Sequence, residues 1–459
     1  MSFIKSISGF RGTIGGRPGD NLTPQDIVSS AAAFGQWVLN TTGNPKIVIG
    51  RDARISGEIV SALVSNTLRS LGISIVDLGL STTPTVEIAV PLENAGGGII
   101  LTASHNPKEW NALKLLNHKG EFISAADGKL VLEIADTGAI EYASVDNLGS
   151  YRTDDSYIKK HIQMVLDLPI VDKAAIQAKN YTIVVDAVNS TGALSVPPLL
   201  EALGCKVIVI NGEINGEFAH NPEPLRENLN DLSKQVVRQK AQMGIAVDPD
   251  VDRLVFMCED GELFGEEYTL VVVADYVLSK KVGNTVSNLS SSRALHDVTV
   301  KRGGEYFASA VGEVHVVEKM KAVNAVIGGE GNGGIIYPEL HYGRDSLVGI
   351  ALFLSHLANA GKQISTFRRM YPEYRMAKNK IQQSPDIQLD KIFETLSHKY
   401  RNERINREDG LKIDFEDGWV HLRPSNTEPI IRIYSESASE VVANNLAKKI
   451  MQDIQEMRN

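Results

Sequence analysis

The sequence has little cysteine, no long apolar run and no cluster of basic residues. Only 2 of its 459 residues are cysteines, too few for a disulfide framework, and we expect Cys205 and Cys258 to be buried, reduced thiols. No apolar stretch approaches the ~18 residues that cross a bilayer. Residues 1–6 lack the apolar core of a secretory signal. We therefore expect a cytoplasmic protein with no membrane partner.

The charge balance argues against a nucleic acid as a partner. The 56 acidic residues outnumber the 47 lysines and arginines, which gives a net charge of -9. A small phosphorylated molecule remains compatible with this balance, because anion binding needs only a few converging cations and backbone N–H groups.

The pattern of apolar residues predicts several α/β domains, because 459 residues are too many for one core. Strand-like runs at 46–50 and 73–76 enclose a helical pattern at 57–70, and similar alternation recurs at 182–210 and 268–357. Such alternation predicts sheets covered by helices on both faces. Short runs between 413 and 434 instead predict an antiparallel meander. These shifts place domain boundaries near residues 153, 256 and 371.

The segment T-A-S-H-N-P, residues 102–107, follows the apolar run 99–101. A serine at the point where a buried strand meets an Asn-Pro turn is held out at a chain reversal, as a nucleophile must be. Pro107 stiffens the turn by biasing Asn106 away from helix. Taken alone, the segment is equally compatible with an ordinary surface turn.

A second segment concentrates carboxylates: Asp248, Asp250 and Asp252 lie between two apolar runs. Alternate side chains of a straight strand are about 6.6 Å apart, so the loop must curl, helped by Pro249, for one cation to bind all three. Oxygen ligands favour a hard cation, Mg²⁺ first. The alternatives are an EF-hand, although Arg253 occupies its glycine position, and a solvated acidic turn.

Two further loops have ligand-binding composition. Residues 328–334 include five glycines, so the backbone can approach a ligand closely, or the segment is simply a flexible loop. Residues 423–429 place an arginine, two hydroxyls and an amide in one turn between strands. This combination suits a phosphate, and a hydrogen-bonded turn without a ligand is the alternative.

Together these segments resemble, in order, the site loops of the α-D-phosphohexomutases. T-A-S-H-N-P with N-A-L-K downstream is similar to the phosphoserine loop, D-x-D-x-D-R to the metal loop and R-x-S-x-T to the phosphate loop. The resemblance implies an α/β fold with three α/β/α sandwich modules with mixed sheets and a smaller C-terminal α+β domain around a central cleft. The implied domains are 1–153, 154–256, 257–371 and 372–459.

The resemblance also implies a reaction, in which hexose 6-phosphate and hexose 1-phosphate interconvert through a phosphoserine and a 1,6-bisphosphate. It implies one Mg²⁺ per active site, hexose 1,6-bisphosphate as primer, and a monomer or homodimer. Lys114 would be the general base and acid, with its pKa lowered by a nearby arginine. The implied catalytic residues are Ser104, Lys114, Arg11 and His105. The implied metal ligands are Ser104, Asp248, Asp250 and Asp252. The implied substrate-binding residues are Arg253, Glu330, Asn332, Arg423, Ser425, Asn426, Thr427 and Arg432.

The exact substrate is predicted from smaller differences. The R-P-S-x-T-E-P pattern of residues 423–429 resembles the branch that acts on glucosamine phosphate, with glucose and mannose phosphates as alternatives. Gly334 stands where many relatives have a histidine, and His341 is our candidate to replace it. A Mg²⁺-dependent sugar phosphatase with an aspartate nucleophile and a non-catalytic sugar-phosphate-binding protein are the other classes considered.

Overall fold

The computed structural model describes residues 2–6, 9–382, 389–424 and 430–457, and within them four sheets carry the fold. No helix in this described part is long and apolar enough to span a bilayer. Cys205 and Cys258 are free and buried, which confirms the prediction for both thiols.

The first sheet is mixed, and its strands are β1 (Ile4–Ser6), β2 (Gly9–Thr13), β3 (Lys46–Arg51), β4 (Ser74–Leu80), β5 (Gly97–Leu101), β6 (Trp110–Leu116) and β7 (Tyr151–Thr153). Their order is β1-β2-β6-β5-β3-β4-β7. The accompanying helices are α1 (Pro24–Thr42), α2 (Gly57–Ser70), α3 (Thr83–Leu92) and α4 (Ala125–Thr137). Ile47 and Ile49 of β3 pack into one apolar cluster and Val48 into another, so apolar cores lie on both faces of the sheet.

The second sheet has the order β11-β10-β8-β9 and contains β8 (Thr182–Asp186), β9 (Lys206–Ile210), β10 (Met243–Val247) and β11 (Leu254–Cys258). Its helices are α5 (Tyr157–Leu166), α6 (Lys173–Gln177), α7 (Gly192–Ala202) and α8 (Asn230–Arg238). Strands β8, β9 and β10 are parallel, and β11 pairs antiparallel with β10. The loop from β10 to β11 is the predicted metal loop.

The third sheet has the order β13-β12-β14-β15 and contains β12 (Asn284–Asn288), β13 (Tyr306–Ser309), β14 (Ala325–Glu330) and β15 (Gly334–Ile336). Its helices are α9 (Glu266–Lys280), α10 (Ala294–Lys301), α11 (Glu313–Ala322), α12 (Ser346–Ala360) and α13 (Ile364–Arg368). Strand β15 is the antiparallel edge of this mixed sheet, so the glycine-rich segment forms a tight hairpin at its end.

The fourth sheet is antiparallel and contains β16 (Arg375–Gln382), β17 (Arg404–Asn406), β18 (Leu411–Phe415), β19 (Gly418–Pro424) and β20 (Ile430–Ser437). It packs with helices α14 (Leu389–Lys399) and α15 (Glu440–Glu456). The predicted meander is confirmed, as is the fold of three α/β/α domains and a C-terminal α+β domain.

The apolar cores do not correspond one to one with the four sheets. One continuous core includes Val185 of the second sheet and Ile327 of the third, whereas the fourth sheet has its own core around Val420. The boundaries near residues 153, 256 and 371 stay proposals. A domain division that leaves every sheet intact would place the second boundary after Cys258, the last residue of β11.

Candidate active site

Ser104 lies in the loop between β5 and β6, with a left-handed backbone φ of 50°. Its Oγ donates a hydrogen bond to Asp248 Oδ2 at 2.7 Å, and its N–H donates to Thr102 Oγ1 at 2.9 Å. Ser104 is only 4% exposed, so the expectation of a serine held out into solvent is wrong. The turn instead presents the hydroxyl to the metal loop.

Arg54 holds the serine loop in place, and sequence reasoning missed it. Its guanidinium donates to backbone carbonyls along the loop, those of Ser104, Asn106, Pro107 and Trp110. Its Nε donates to Asp52 Oδ2 at 2.9 Å, and both side chains are fully buried. The available signal was an Asp-x-Arg pair directly after the buried strand β3.

The metal loop curls as its sequence requires. Val251 adopts φ 63°, and the Pro249 carbonyl accepts hydrogen bonds from the Ser190 and Thr191 hydroxyls. This turn brings one carboxylate oxygen from each of the three aspartates within 4.8 Å of the others. The EF-hand alternative is wrong because strands flank the loop, and the solvated-turn alternative is wrong because each aspartate is 0% exposed.

The carboxylate oxygens of this loop suit a divalent cation. Asp250 Oδ1 and Asp252 Oδ1 are buried and have no hydrogen-bond partner in the described part of the chain. An unpaired buried carboxylate oxygen is costly unless a cation takes it. Burial and the two neighbouring carboxylates raise the pKa of Asp248 well above its ordinary value. An all-oxygen set of this kind can bind a hard cation such as Mg²⁺.

Lys114 projects from β6 onto the same loop. Its Nζ lies 2.6 Å from Asp250 Oδ2 and 3.4 Å from Asp252 Oδ2, and the side chain is buried. Burial alone would lower the pKa of Lys114, but the two carboxylates outweigh it and leave the pKa above its ordinary value. The expectation of a lowered pKa for Lys114 is therefore wrong, because the neighbouring Arg344 does act to lower it but is outweighed. Lys114 is an ammonium ion in this arrangement.

Two predicted catalytic residues flank the serine. His105 Nδ1 lies 3.4 Å from Ser104 Oγ, and Arg11 donates a hydrogen bond to Asn106 Oδ1 at 3.0 Å. Burial, with Arg253 and Arg11 nearby, lowers the pKa of His105 to about 2, so its ring is neutral. Arg11 faces the cavity described below and supplies a cation beside the serine loop.

The glycine-rich segment 328–334, called the sugar loop here because it carries the predicted substrate-binding residues Glu330 and Asn332, is the β14–β15 hairpin. The Glu330 carboxylate accepts hydrogen bonds from Asn288 Nδ2 at 2.8 Å, from the Gly312 N–H at 3.1 Å and from Arg344 Nη1 at 2.7 Å. Asn332 accepts the N–H of Gly334 at 3.1 Å through its Oδ1. Glu330 and Asn332 both line the cavity.

Arg344, a residue that sequence reasoning missed, connects the sugar loop to the metal loop. Its guanidinium donates to Asp252 Oδ2 at 2.7 Å, Glu330 Oε2 at 2.7 Å and Glu313 Oε2 at 2.9 Å. Burial alone would lower the pKa of Arg344, but these carboxylates raise it well above its ordinary value. His341, our candidate to replace the family histidine, instead contacts Asp345.

A cavity of about 650 Å³ lies beside this site, and Arg11, His105, Glu330 and Asn332 are among the residues that line it. From the fourth sheet, Arg423 and Arg432 line it as a cross-strand pair on β19 and β20, and Lys378 of β16 joins them. Arg253 lines the cavity from the metal loop and donates to Glu223 Oε1 at 3.0 Å. The predicted substrate-binding residues Ser425, Asn426 and Thr427 lie outside the described residues.

Four family models match the chain in succession. Residues 4–140, 155–261 and 265–374 match alpha/beta/alpha domains I, II and III of phosphoglucomutase/phosphomannomutase, and residues 374–453 match its C-terminal domain.

Individual relatives span nearly the whole chain. A phosphoglucomutase/phosphomannomutase of Thermococcus kodakarensis is 36% identical over 437 residues, 94% of each chain. A phosphoglucosamine/phosphogalactosamine mutase of Sulfurisphaera tokodaii is 31% identical over 98% of each chain. The crystal structure of a phosphoglucomutase/phosphomannomutase family protein from Burkholderia thailandensis, 25% identical, superposes with a TM-score of 0.86 over 99% of this chain and 97% of that one. The chain therefore belongs to the phosphoglucomutase/phosphomannomutase family, the α-D-phosphohexomutases, and is an intramolecular phosphotransferase of the isomerase class.

Proposed function

We propose that Ser104 carries the transferred phosphoryl group and that glucosamine phosphate is the preferred substrate. The observation that supports the first part is the 2.7 Å hydrogen bond from Ser104 Oγ to Asp248, within a buried carboxylate cluster beside an arginine-lined cavity. A phosphatase is not favoured, because the related proteins are mutases.

Transfer begins with a phosphate ester on Ser104. The bond from phosphorus to Ser104 Oγ breaks while a bond to the free hydroxyl oxygen of a hexose monophosphate forms, which yields the 1,6-bisphosphate. The bisphosphate then reorients in the cavity and returns its other phosphoryl group to Ser104. The transition state is loose, so positioning and charge neutralisation supply most of the rate enhancement.

Lys114 is suited to move the proton. As an ammonium ion it donates one proton to Ser104 Oγ as the ester bond breaks, and it regains one from the sugar hydroxyl. Lys114 thus acts first as a general acid, because its ion pairs with Asp250 and Asp252 favour its protonated form. The reverse half of the reaction exchanges the two roles.

The cation and the primer complete the proposal. One Mg²⁺ per site, held by Asp248, Asp250, Asp252 and Ser104, would offset negative charge on the phosphoryl group. Hexose 1,6-bisphosphate would restore Ser104 to its phosphorylated form. Arg423 and Arg432, with the loop 425–429, would bind the phosphate that is not being transferred, while Glu330 and Asn332 bind sugar hydroxyls.

The substrate proposal rests on the acidic residues of the cavity and on the named activity of a relative. Glu223 and Glu266 line the cavity in addition to Glu330, so a 2-ammonium group has carboxylates within reach. The Sulfurisphaera tokodaii relative is a phosphoglucosamine/phosphogalactosamine mutase. Glucose and mannose phosphates are the runner-up substrates, since the Thermococcus kodakarensis relative is a phosphoglucomutase/phosphomannomutase.

The decisive experiment compares kcat/KM for the 1-phosphates of glucosamine, glucose and mannose, side by side with bisphosphate primer and Mg²⁺. We expect the highest value for glucosamine 1-phosphate. A glucose value ten times the glucosamine value would overturn the substrate proposal and leave the mutase assignment intact.

Location and assembly are further parts of the proposal. A cytoplasmic location agrees with the two free buried thiols. A monomer or homodimer agrees with a cavity whose lining comes from all four domains of one chain. Analytical ultracentrifugation would distinguish the two assemblies.

A further inference from the structure

A second cluster of histidine and carboxylate side chains lies where the first three domains meet. Glu87 comes from α3, His161 from α5, and His341 and Asp345 from the segment that leads into α12. None of the four lines the cavity of the active site. Glu87, His161 and Asp345 are buried, and the His341 side chain is 12% exposed.

The ligand atoms of this cluster converge on one point. His161 Nε2 lies 2.8 Å and His341 Nε2 lies 3.2 Å from the same oxygen, Asp345 Oδ2, and the three atoms are all within 4.8 Å of one another. Ligands at about 2.0–2.1 Å from a tetrahedral ion are themselves about 3.3 Å apart. The two nitrogen-to-oxygen distances, 2.8 and 3.2 Å, are therefore close to the ligand-to-ligand distance expected in such a site.

A separate partner holds the far side of two of the ligands, Asp345 and His161. Asp345 Oδ1 accepts the N–H groups of Leu347 at 2.8 Å and Val348 at 3.4 Å, which leaves Oδ2 for an ion. Thr85 Oγ1 lies 3.0 Å from His161 Nδ1. Metal-binding histidines commonly have their second ring nitrogen fixed by an oxygen in this way.

Glu87 supplies the second, independent observation. It is 1% exposed, and neither carboxylate oxygen has a hydrogen-bond partner in the described part of the chain. Its Oε2 lies 3.4 Å from His341 Nδ1. Both oxygens of a buried carboxylate are therefore left unsatisfied in the described structure, which is costly.

We propose that His161, His341 and Asp345 bind a transition-metal ion of the Zn²⁺ type, with Glu87 orienting His341. Two imidazoles and one carboxylate select such an ion over Mg²⁺, which prefers oxygen ligands. The ion joins helix α5 to the segment that leads into helix α12, and Glu87 places helix α3 against His341. Its role is structural, since its ligands come from the second and third domains and none of them is assigned to phosphoryl transfer.

Co²⁺ tests this site directly, because a tetrahedral Co²⁺ complex absorbs visible light. Metal-free protein is titrated with Co²⁺ in excess Mg²⁺, which occupies the aspartate loop. We expect one equivalent to bind with a visible ligand-field band, and X-ray absorption of that complex should show two imidazole ligands and oxygen donors. A wild-type protein that binds no Co²⁺ under these conditions would overturn the proposal and leave a plain hydrogen-bond network.

Variants locate the ion. His341→Asn should weaken Co²⁺ binding at least 100-fold, and Glu87→Gln about 10- to 100-fold. His356→Asn is the matched control, since His356 bonds Asp275 and Tyr371 outside the cluster and its loss should leave Co²⁺ binding unchanged. A visible band that persists in folded His341→Asn would contradict the assignment. If His341→Asn does not fold, the X-ray absorption spectrum of the wild type decides.

Discussion

Arg344 fills the space beside Gly334: a β-carbon at residue 334 would lie 2.3 Å from Arg344 Cδ. The glycine and the arginine are therefore a matched pair, and a larger residue at 334 requires Arg344 to move. Because Arg344 joins Asp252 of the metal loop to Glu330 of the sugar loop, that movement would disturb both.

We predict that Gly334→Ala lowers kcat/KM by tens of fold through this clash. Arg344→Ala alone should destabilise the fold by about 3–5 kcal/mol, since it leaves buried carboxylates without their cation. In the Arg344→Ala background the further effect of Gly334→Ala should disappear. A double-mutant cycle on kcat/KM measures this coupling, and strictly additive effects would contradict the pairing.

Ser104→Ala should abolish mutase turnover, because Ser104 Oγ is the hydroxyl that donates to Asp248 and would carry the phosphoryl group. The loss of one buried hydrogen bond should cost about 1 kcal/mol in unfolding free energy. Ser124→Ala is a suitable control, since Ser124 caps α4 and its loss should cost a similar free energy without affecting turnover. Residual Ser104→Ala activity within tenfold of wild type would contradict the phosphoserine mechanism.

Arg54→Lys should lower kcat about 100-fold while the KM for the sugar phosphate changes little. Lysine keeps the charge but lacks the planar fork that donates to several carbonyls of the serine loop, so the loop loses its fixed position. Arg51→Lys is the control, because Arg51 lies in the same segment and pairs only loosely with Glu58 at 3.5 Å. Equal kcat values for the two variants would refute the role of Arg54.

Removal of the divalent cation should stop the reaction. Asp250→Asn should lower turnover by orders of magnitude at ordinary Mg²⁺ concentration. Excess EDTA should reversibly abolish the activity of the wild-type protein. Steady-state assays before and after dialysis against EDTA, followed by added Mg²⁺, check both effects. Wild-type activity that survives EDTA would show that the carboxylate cluster serves another purpose.

The pH dependence of stability should contain a contribution from Glu267. Burial raises the pKa of Glu267 to about 8, from 4.5 in the unfolded chain. The folded state thus binds the proton more tightly, so this contribution is fully present below pH 4.5 and is lost as the pH rises to about 8. Glu267→Gln should flatten that slope in denaturant unfolding measured from pH 5 to 8. A wild-type slope that persists in Glu267→Gln would contradict the assignment.

The sequence alone determined the features that depend on residues close together in the chain. Alternating strand and helix patterns predicted the α/β domains and the final meander. The turn after β5 and the loop after β10 made Ser104 and the three aspartates candidate site residues, because nucleophile and metal loops need particular residue types at short spacing.

Only the tertiary structure decided which distant side chains complete the site. Arg54 contacts a loop 50 residues away, and Arg344 contacts Asp252 across 92 residues, separations at which no local pattern exists. Three other features also arise from contacts between residues that are distant in the sequence: the burial of Ser104, the raised pKa of Lys114, and the position of His341 outside its predicted role. Each of these features depends on side chains that come into contact only when the domains pack. The residues that define each loop, in contrast, are close together in the sequence.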